Sequence, residues 1–390
     1  MGFTYYDFFA GGGMAGIGLG PDWTCTFAND FDEVKASVYK AYHGGRALAV
    51  KDVRQVTADD LPGRADLAWA SFPCQDLSLA GSGAGLSGER SGMFWPFWHL
   101  MRQLRQEGRA PRVIVLENVY GVLKSNGGRD FATIAGAVSA ANYKLGALVI
   151  DAVHFVPQSR KRVFVAAFQK EILADAGLLR QAPSPAWHPP ALREAVSAFP
   201  GSVRRKWVWW NLPQPPVRNS TLAEYIDDEP EGVEWHSAKE TSRILALMSP
   251  LNLEKVEAAK KFKRKVVGTV YRRTRPDGMG GKVQRAEVRF DDVAGCLRTP
   301  AGGSSRQTIM VVQADVVRSR LLSPREAARL MGLPDEYPLP ARYNDAYHLA
   351  GDGLVAPVVR HLAAHIIEPV LKTFAPNDWR KQASRGRDRN

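Results

Sequence analysis

Cys74 stands in the run Phe72-Pro-Cys-Gln75, directly after the apolar segment Leu67–Ser71. A lone cysteine is usually a small buried hydrophobe. Here Pro73, Ser71 and Gln75 put it on a strand-exit loop, where its thiolate would be a nucleophile. A second group ends another apolar run, for Val113-Ile-Val-Leu116 delivers Glu117 and Asn118. A carboxyl half-buried at a strand end tends to hold a proton and serves as an acid, unless it simply pairs with an arginine. Arg160 and Arg162, in Gln158-Ser-Arg-Lys-Arg162, share a face at period two and are suited to a phosphate or a base edge. A fourth group is the glycine-rich run Ala10-Gly-Gly-Gly-Met-Ala-Gly-Ile-Gly18, with Asp30 following. Glycine lets the backbone approach a ligand in front of a helix N-terminus, and an acid at that distance suits a ribose diol. A plain tight turn would use the same glycines, so this signal alone is weak.

These residues need a scaffold that brings strand ends together. Short apolar runs at Phe3–Phe9, Trp23–Asn29, Leu67–Ser71, Val113–Glu117, Ala147–Val153 and Val163–Phe168 alternate with helix-length segments such as Phe94–Gln106 and Arg129–Ala141. Alternation of this kind predicts an α/β fold with a mostly parallel sheet, which binds ligands beyond the carboxyl ends of its strands. After Phe168 the texture becomes loop-rich. Eight prolines and the cluster Trp207, Trp209, Trp210 fall in residues 183–216. The tryptophans read as domain core or hinge packing rather than base stacking. A helix start returns at Ser323-Pro-Arg-Glu326, with serine as N-cap, proline at N1 and glutamate at the capping-box position. A last apolar helix covers about 356–374.

The 390 residues carry 52 Lys+Arg against 40 Asp+Glu, a net charge of +12. That length predicts two domains. The surplus is local, with +8 in residues 251–290 and +4 in residues 372–390, which points to a polyanion partner or to solvated surface charge. No apolar run predicts a membrane span, and the N-terminus does not read as a secretory signal. Cys25, Cys74 and Cys296 offer neither a disulfide framework nor a CxxC zinc site, so no metal is expected and the compartment is read as reducing.

Together the four groups resemble the DNA (cytosine-5) methyltransferase family, across at least residues 5–168 and 318–371. Asp7-Phe-Phe-Ala-Gly11 looks like its cofactor motif, Pro73-Cys74-Gln75 its nucleophile motif and Glu117-Asn118-Val119 its acid motif. Gln158, Arg160 and Arg162 match its QxRxR motif. Arg320–Pro334 is similar to the helix supporting its recognition domain, and Gly351–Val358 stands where its last motif closes the cofactor pocket. The resemblance implies a Rossmann-like S-adenosylmethionine-dependent methyltransferase fold with a second, smaller, loop-rich DNA-recognition domain. It implies Cys74, Glu117, Arg162 and Arg160 as catalytic residues. Phe9 and Phe31 would flank the adenine of S-adenosyl-L-methionine, Asp30 would hold its ribose and Asp52 would face its amine. Gly11, Gly13, Val53, Pro73 and Asp352 would complete that site. Met14 and Ala15 replace a second Gly-Gly step, and Asp352 stands where Asn is commoner.

The expected domains are 1–170 (catalytic), 171–317 (target recognition), 318–371 (returning to the catalytic domain) and 372–390 (basic tail). The Ala80–Gly92 segment is expected as a lid, Lys260–Lys265 with Arg272, Arg273 and Arg275 as phosphate grips, and Arg298–Arg306 as the place of base readers. Expected partners are double-stranded DNA and a cognate restriction endonuclease, for a monomer in the bacterial cytoplasm at the nucleoid. An RNA cytosine-5 methyltransferase acting on tRNA is the nearest alternative. A NAD-dependent oxidoreductase would explain the glycine turn and Asp30 but leaves Cys74 and Glu117 unused. A non-catalytic DNA-binding relative would not need Cys74, Glu117 and Arg162 together.

Overall fold

The computed structural model describes residues 2–73, 92–172, 176–262, 264–276, 281–298 and 306–373. Cys74, nearly all of the expected lid, most of the 298–306 loop and the tail beyond 373 lie outside the described residues. The chain divides into two compact units. One holds Met1–Ile150, Lys161–Gln214 and the chain from Val358, and the other holds Asp151–Arg160 and Pro215–Pro357.

The first unit opens with β1 (Phe3–Phe8), α1 (Met14–Leu19), β2 (Trp23–Asp30), α2 (Glu33–His43), β3 (Leu48–Val50) and β4 (Leu67–Ala70). It continues with α3 (Phe94–Gln106), β5 (Val113–Val119), α4 (Arg129–Ala140), β6 (Tyr143–Asp151) and β7 (Lys161–Gln169). The strands form one seven-stranded sheet in the order β3-β2-β1-β4-β5-β7-β6. β1, β2, β3, β4 and β5 run parallel, and β7 lies antiparallel to β5. Strands covered on both faces read as continuous apolar runs, and β4 and most of β5 are buried accordingly. Phe8, Phe94, Phe97, Trp98, Leu116 and Ile134 share one core. The strand order reverses between β1 and β4, the place where open α/β sheets bind ligands. The glycine turn follows β1 and Ser71-Phe72-Pro73 follows β4, so both candidate segments leave the sheet at that reversal.

Short strands β8 (Leu179–Arg180) and β9 (Trp209–Trp210) pair with each other, with α5 (Pro190–Ser197) and α6 (Gly201–Arg204) between them. Trp207 packs against Phe131 and Phe199, and Trp210 is buried against Phe168. The tryptophans are core packing, as expected. They hold residues 171–214 in the first unit, so the boundary lies at Gln214 rather than 170.

The second unit contains α7 (Ala238–Ala246), α8 (Pro250–Lys260), β10 (Val266–Pro276), β11 (Lys282–Arg289), β12 (Thr308–Gln313), β13 (Val316–Leu321), α9 (Pro324–Arg329) and α10 (Tyr343–Asp352). The four strands form an antiparallel sheet in the order β11-β10-β12-β13. Ser323 caps α9 as predicted, with Glu326 closing the capping box. Glu326 also forms a two-pronged ion pair with Arg320 at 2.6 and 2.8 Å, both side chains fully buried. The same carboxylate accepts from the Ser323 and Asp227 N–H groups. These bonds fasten residues 320–326 to the segment around Asp227, so residues 318–357 belong to the second unit and only the chain from Val358 returns to the first.

That returning chain forms α11 (Ala356–Leu362), a π turn and α12 (Glu368–Thr373). Arg360 donates to the Leu19 carbonyl and pairs with Glu368, which accepts from Trp23 Nε1 at 3.1 Å. The stretch Tyr343–Lys372 is long and apolar enough by composition to cross a bilayer, yet 72% of its most apolar window is buried inside the fold, as in core helices. A buried ion pair that loses one partner leaves an uncompensated charge. Glu326→Ala should therefore lower stability by about 3–5 kcal/mol in denaturant unfolding; an unchanged midpoint would show that Arg320 finds other partners.

Candidate active site

At the end of β1, Phe9, Gly11 and Gly13 all take positive φ, at 58°, 55° and 80°. A Cβ on Gly13 would lie 2.4 Å from the His43 ring, so only glycine fits there. Gly11 N–H donates to Asp30 Oδ2 at 2.8 Å, and Asp32 N–H donates to Asp30 Oδ1 at 2.9 Å. Asp30, at the end of β2, thus braces the glycine turn in addition to presenting a carboxylate. Phe31 beside it is 74% exposed, a large bare aromatic face. Asp52 caps the turn Val53–Gln55 and pairs with Arg54 at 2.6 Å, which holds its carboxyl below the usual range. Val53 is buried and Pro73 exposed. Asp352 is exposed at the end of α10, in the second unit.

The next strand ends carry the second cluster. Glu117 and Asn118 are each 7% exposed at the end of β5. Register with β7 sets Val119 opposite Arg162 and Glu117 opposite Phe164, so Arg162 reaches Glu117 diagonally, Nε to Oε1 at 3.2 Å. Of the two readings of Glu117, the arginine-paired glutamate is the arrangement observed. Asn118 Nδ2 donates to the Phe72 carbonyl at 3.0 Å, and Trp69 Nε1 donates to Ser71 Oγ at 3.0 Å. These bonds fix the strand exit that leads into Cys74.

The contacts described for Arg160 lie in the second unit. Arg160 is 3% exposed, and its guanidinium donates to the carbonyls of Leu297, Gly351 and Gly353 at 2.7–3.0 Å. Gln158, fully buried, donates to Leu330 O at 2.7 Å and accepts from Leu297 N–H. Arg160 precedes β7 rather than lying in it, so the expected period-two face breaks between the two arginines. Arg160 positions backbone; Arg162 faces a carboxylate.

Sequence reasoning missed a buried polar cluster under the glycine turn. Asp7 is 2% exposed, and among the described residues its Oδ2 meets no donor. Burial, reinforced by the charge of Asp30, pushes its pKa up to about 8. Cys25 accepts from Tyr39 Oη at 3.4 Å, and burial raises the thiol to about 12. Asp7 was visible as the one charge in the otherwise uncharged strand Phe3–Phe8. Below about pH 4 the Asp7 carboxyl is protonated folded or unfolded. As pH rises toward 8 only the unfolded chain ionises it, so this group's contribution to stability is lost over that window. The urea midpoint of Asp7→Asn relative to the unsubstituted protein should therefore rise from pH 4 to pH 8; a difference independent of pH would contradict the assignment.

The profile of the family described as C-5 cytosine-specific DNA methylase matches residues 3–368. Type II methyltransferase M.NlaX of Neisseria lactamica is 24% identical over 367 residues, 93% of this chain and 95% of that protein. Type II methyltransferase M.HhaI of Haemophilus parahaemolyticus is 23% identical over 369 residues, 94% of each. Among solved structures, S. pombe Dnmt2 methyltransferase aligns over 95% of this chain and 99% of its own with a TM-score of 0.56 at 15% identity, a likeness of fold. The match runs through both units and takes in the β1, β4, β5 and β7 strand ends just described: the chain belongs to the C-5 cytosine-specific DNA methylase family and is a DNA cytosine-5 methyltransferase.

Proposed function

We propose that this enzyme transfers a methyl group from S-adenosylmethionine to carbon 5 of a cytosine flipped out of a specific duplex DNA sequence, through a covalent adduct with Cys74. The observation that carries the reading is the Glu117–Arg162 pair beside the strand exit that Asn118 fastens. Carbon 5 of cytosine is a weak nucleophile. Addition of the Cys74 thiolate forms the S–C6 bond and drives electron density to carbon 5, which would take the methyl group as the sulfonium S–CH3 bond breaks and its electron pair stays on sulfur as a neutral thioether. Glu117 contacts N3 and the exocyclic amine and neutralises the charge that builds on the ring. Arg162, whose Nη1 donates to the Lys161 carbonyl, holds Glu117 through Nε and would contact the O2 side. Loss of the carbon-5 proton returns the electron pair, breaks the S–C6 bond and regenerates Cys74. The base must leave the duplex for this, at a cost of a few kcal/mol.

S-adenosylmethionine, when bound, supplies an electrophilic methyl group on a sulfonium. The residues at the sheet reversal fit it. Phe9 and the exposed Phe31 would flank adenine, Asp30 the ribose hydroxyls and Asp52 the amine, with Gly11, Gly13, Val53 and Pro73 lining the site. Asp7 Oδ2, which meets no donor among the described residues, is the complement of the methionine ammonium. Asp352 remains assigned to the cofactor by its motif.

The second unit serves as the target recognition domain. Its basic residues favour duplex DNA, and the Type II names of the relatives support pairing with a cognate restriction endonuclease. Under the same proposal the enzyme works as a monomer on nucleoid DNA in the bacterial cytoplasm. The test is transfer of labelled methyl groups to duplex DNA and to tRNA. Duplex DNA should be labelled at cytosine carbon 5; labelling of tRNA alone would overturn the reading. Cys74→Ala should fall to the no-enzyme level, and Glu117→Gln by about 10²–10⁴-fold. Asn118→Ala should lower kcat by up to about a hundredfold through misplacement of Cys74, with cofactor affinity unchanged. A Cys74→Ala variant at full rate would sink the mechanism.

A further inference from the structure

The antiparallel sheet of the second unit is uneven. β10 pairs with β12 only over Val266–Val270, whereas its pairing with β11 runs on to Pro276 opposite Lys282. Ala286, opposite Arg272, is the last buried residue of β11 toward the tip. From there outward the two strands pair with each other as a ribbon beyond the reach of β12. Four residues per strand, 273–276 and 282–285, carry it about 13 Å at the usual rise. Arg273, Thr274, Lys282, Gln284 and Arg285 are exposed on it.

Two features separate this arm from ordinary surface. Arg273 and Arg285 lie directly opposite each other and so share one face. Like charges in that position cost stability, a cost that an anionic partner removes. Arg273 also lies against Tyr271, with its guanidinium 5.7 Å from the ring centre, and its Nε pairs with Glu287 at 3.5 Å, contacts that hold it on the ribbon face. In the basic run at residues 260–265, Lys260 pairs with Glu257 and Lys265 with Asp228. The geometry also has a natural recipient. The major groove of B-DNA is about 12 Å wide and 8.5 Å deep and admits a two-stranded ribbon.

We propose that the β10–β11 ribbon enters the DNA major groove and that Arg273 and Arg285 read base edges there, guanine O6 and N7 above all, as specificity-determining residues. This rests on the proposed action on duplex DNA. It reassigns Arg273 from a phosphate grip to a base reader, and adds Arg285.

The test is bisulfite sequencing of a randomised duplex library methylated by the full-length enzyme and by Arg273→Ala and Arg285→Ala. Each substitution should relax the preference at one base pair by roughly ten- to a hundredfold and leave the other positions and cofactor binding unchanged. Arg285→Lys, which keeps the charge but loses the two-pronged fork, should show the same relaxation; it carries the test if an alanine variant unfolds. A uniform loss at all sites, with the slope of log affinity against log salt reduced by about 0.9 per charge, would make these arginines phosphate contacts and overturn the proposal. An unchanged profile would overturn it too, leaving the charges as protection of an exposed sheet edge. A library left unmethylated by the unsubstituted enzyme would instead reject the action on duplex DNA on which the ribbon's role rests.

Discussion

Antiparallel pairing of β7 against β5 is the constraint on which the chemistry depends. It is the reversal in an otherwise parallel run of strands, and its register brings Arg162 diagonally to Glu117 at 3.2 Å. A parallel neighbour would have brought Arg162, near the start of β7, to the far end of β5. The pair is nearly buried, so each charge is compensated by the other, and either alone would be costly to hold there. Asn118, one residue on, uses the same strand end to tie down Phe72. The end of β5 and the start of β7 together therefore supply a carboxyl, a guanidinium and the anchor of the segment leading to Cys74.

The other half of the site is organised by carboxyls held through backbone N–H groups or kept neutral by burial rather than by an ion pair. Asp30 spends both oxygens on backbone N–H groups that shape the glycine turn. Asp7 lies beneath, buried, with an oxygen that meets no donor among the described residues and a pKa raised to about 8. A fold bears such a cost where a ligand relieves it. A cationic cofactor would do so, and the ionisation of Asp7 would then be coupled to its binding.

Much of this was legible in the sequence because it is local. Apolar runs gave away β1, β2, β4, β5 and β7, and the Ser323–Glu326 spacing announced the start of α9. Cys74, Glu117 and Asn118 were identifiable by standing directly after such runs. What escaped was set by contacts distant in the chain. The carbonyls that accept from the Arg160 guanidinium lie 137 to 193 residues away, so nothing in the local sequence separated its role from that of Arg162. The domain boundaries depend on Trp207 meeting Phe131 and on Arg320 meeting Glu326 and Asp227. The basic stretch was visible as charge, but only the cross-strand register reveals that Arg273 faces Arg285.

If Cys74 adds to carbon 6 of cytosine, as proposed, the covalent adduct can be trapped. The most direct measurement uses duplex DNA carrying 5-fluorocytosine, in which fluorine cannot leave as the carbon-5 proton does, so the S–C6 bond cannot be broken by elimination. With S-adenosylmethionine present, intact mass should show a stable adduct of enzyme, DNA and one methyl group, with the linkage mapped to the peptide containing Cys74. An enzyme that methylates ordinary duplex DNA yet forms no adduct on this substrate, or forms it through another residue, would contradict the account.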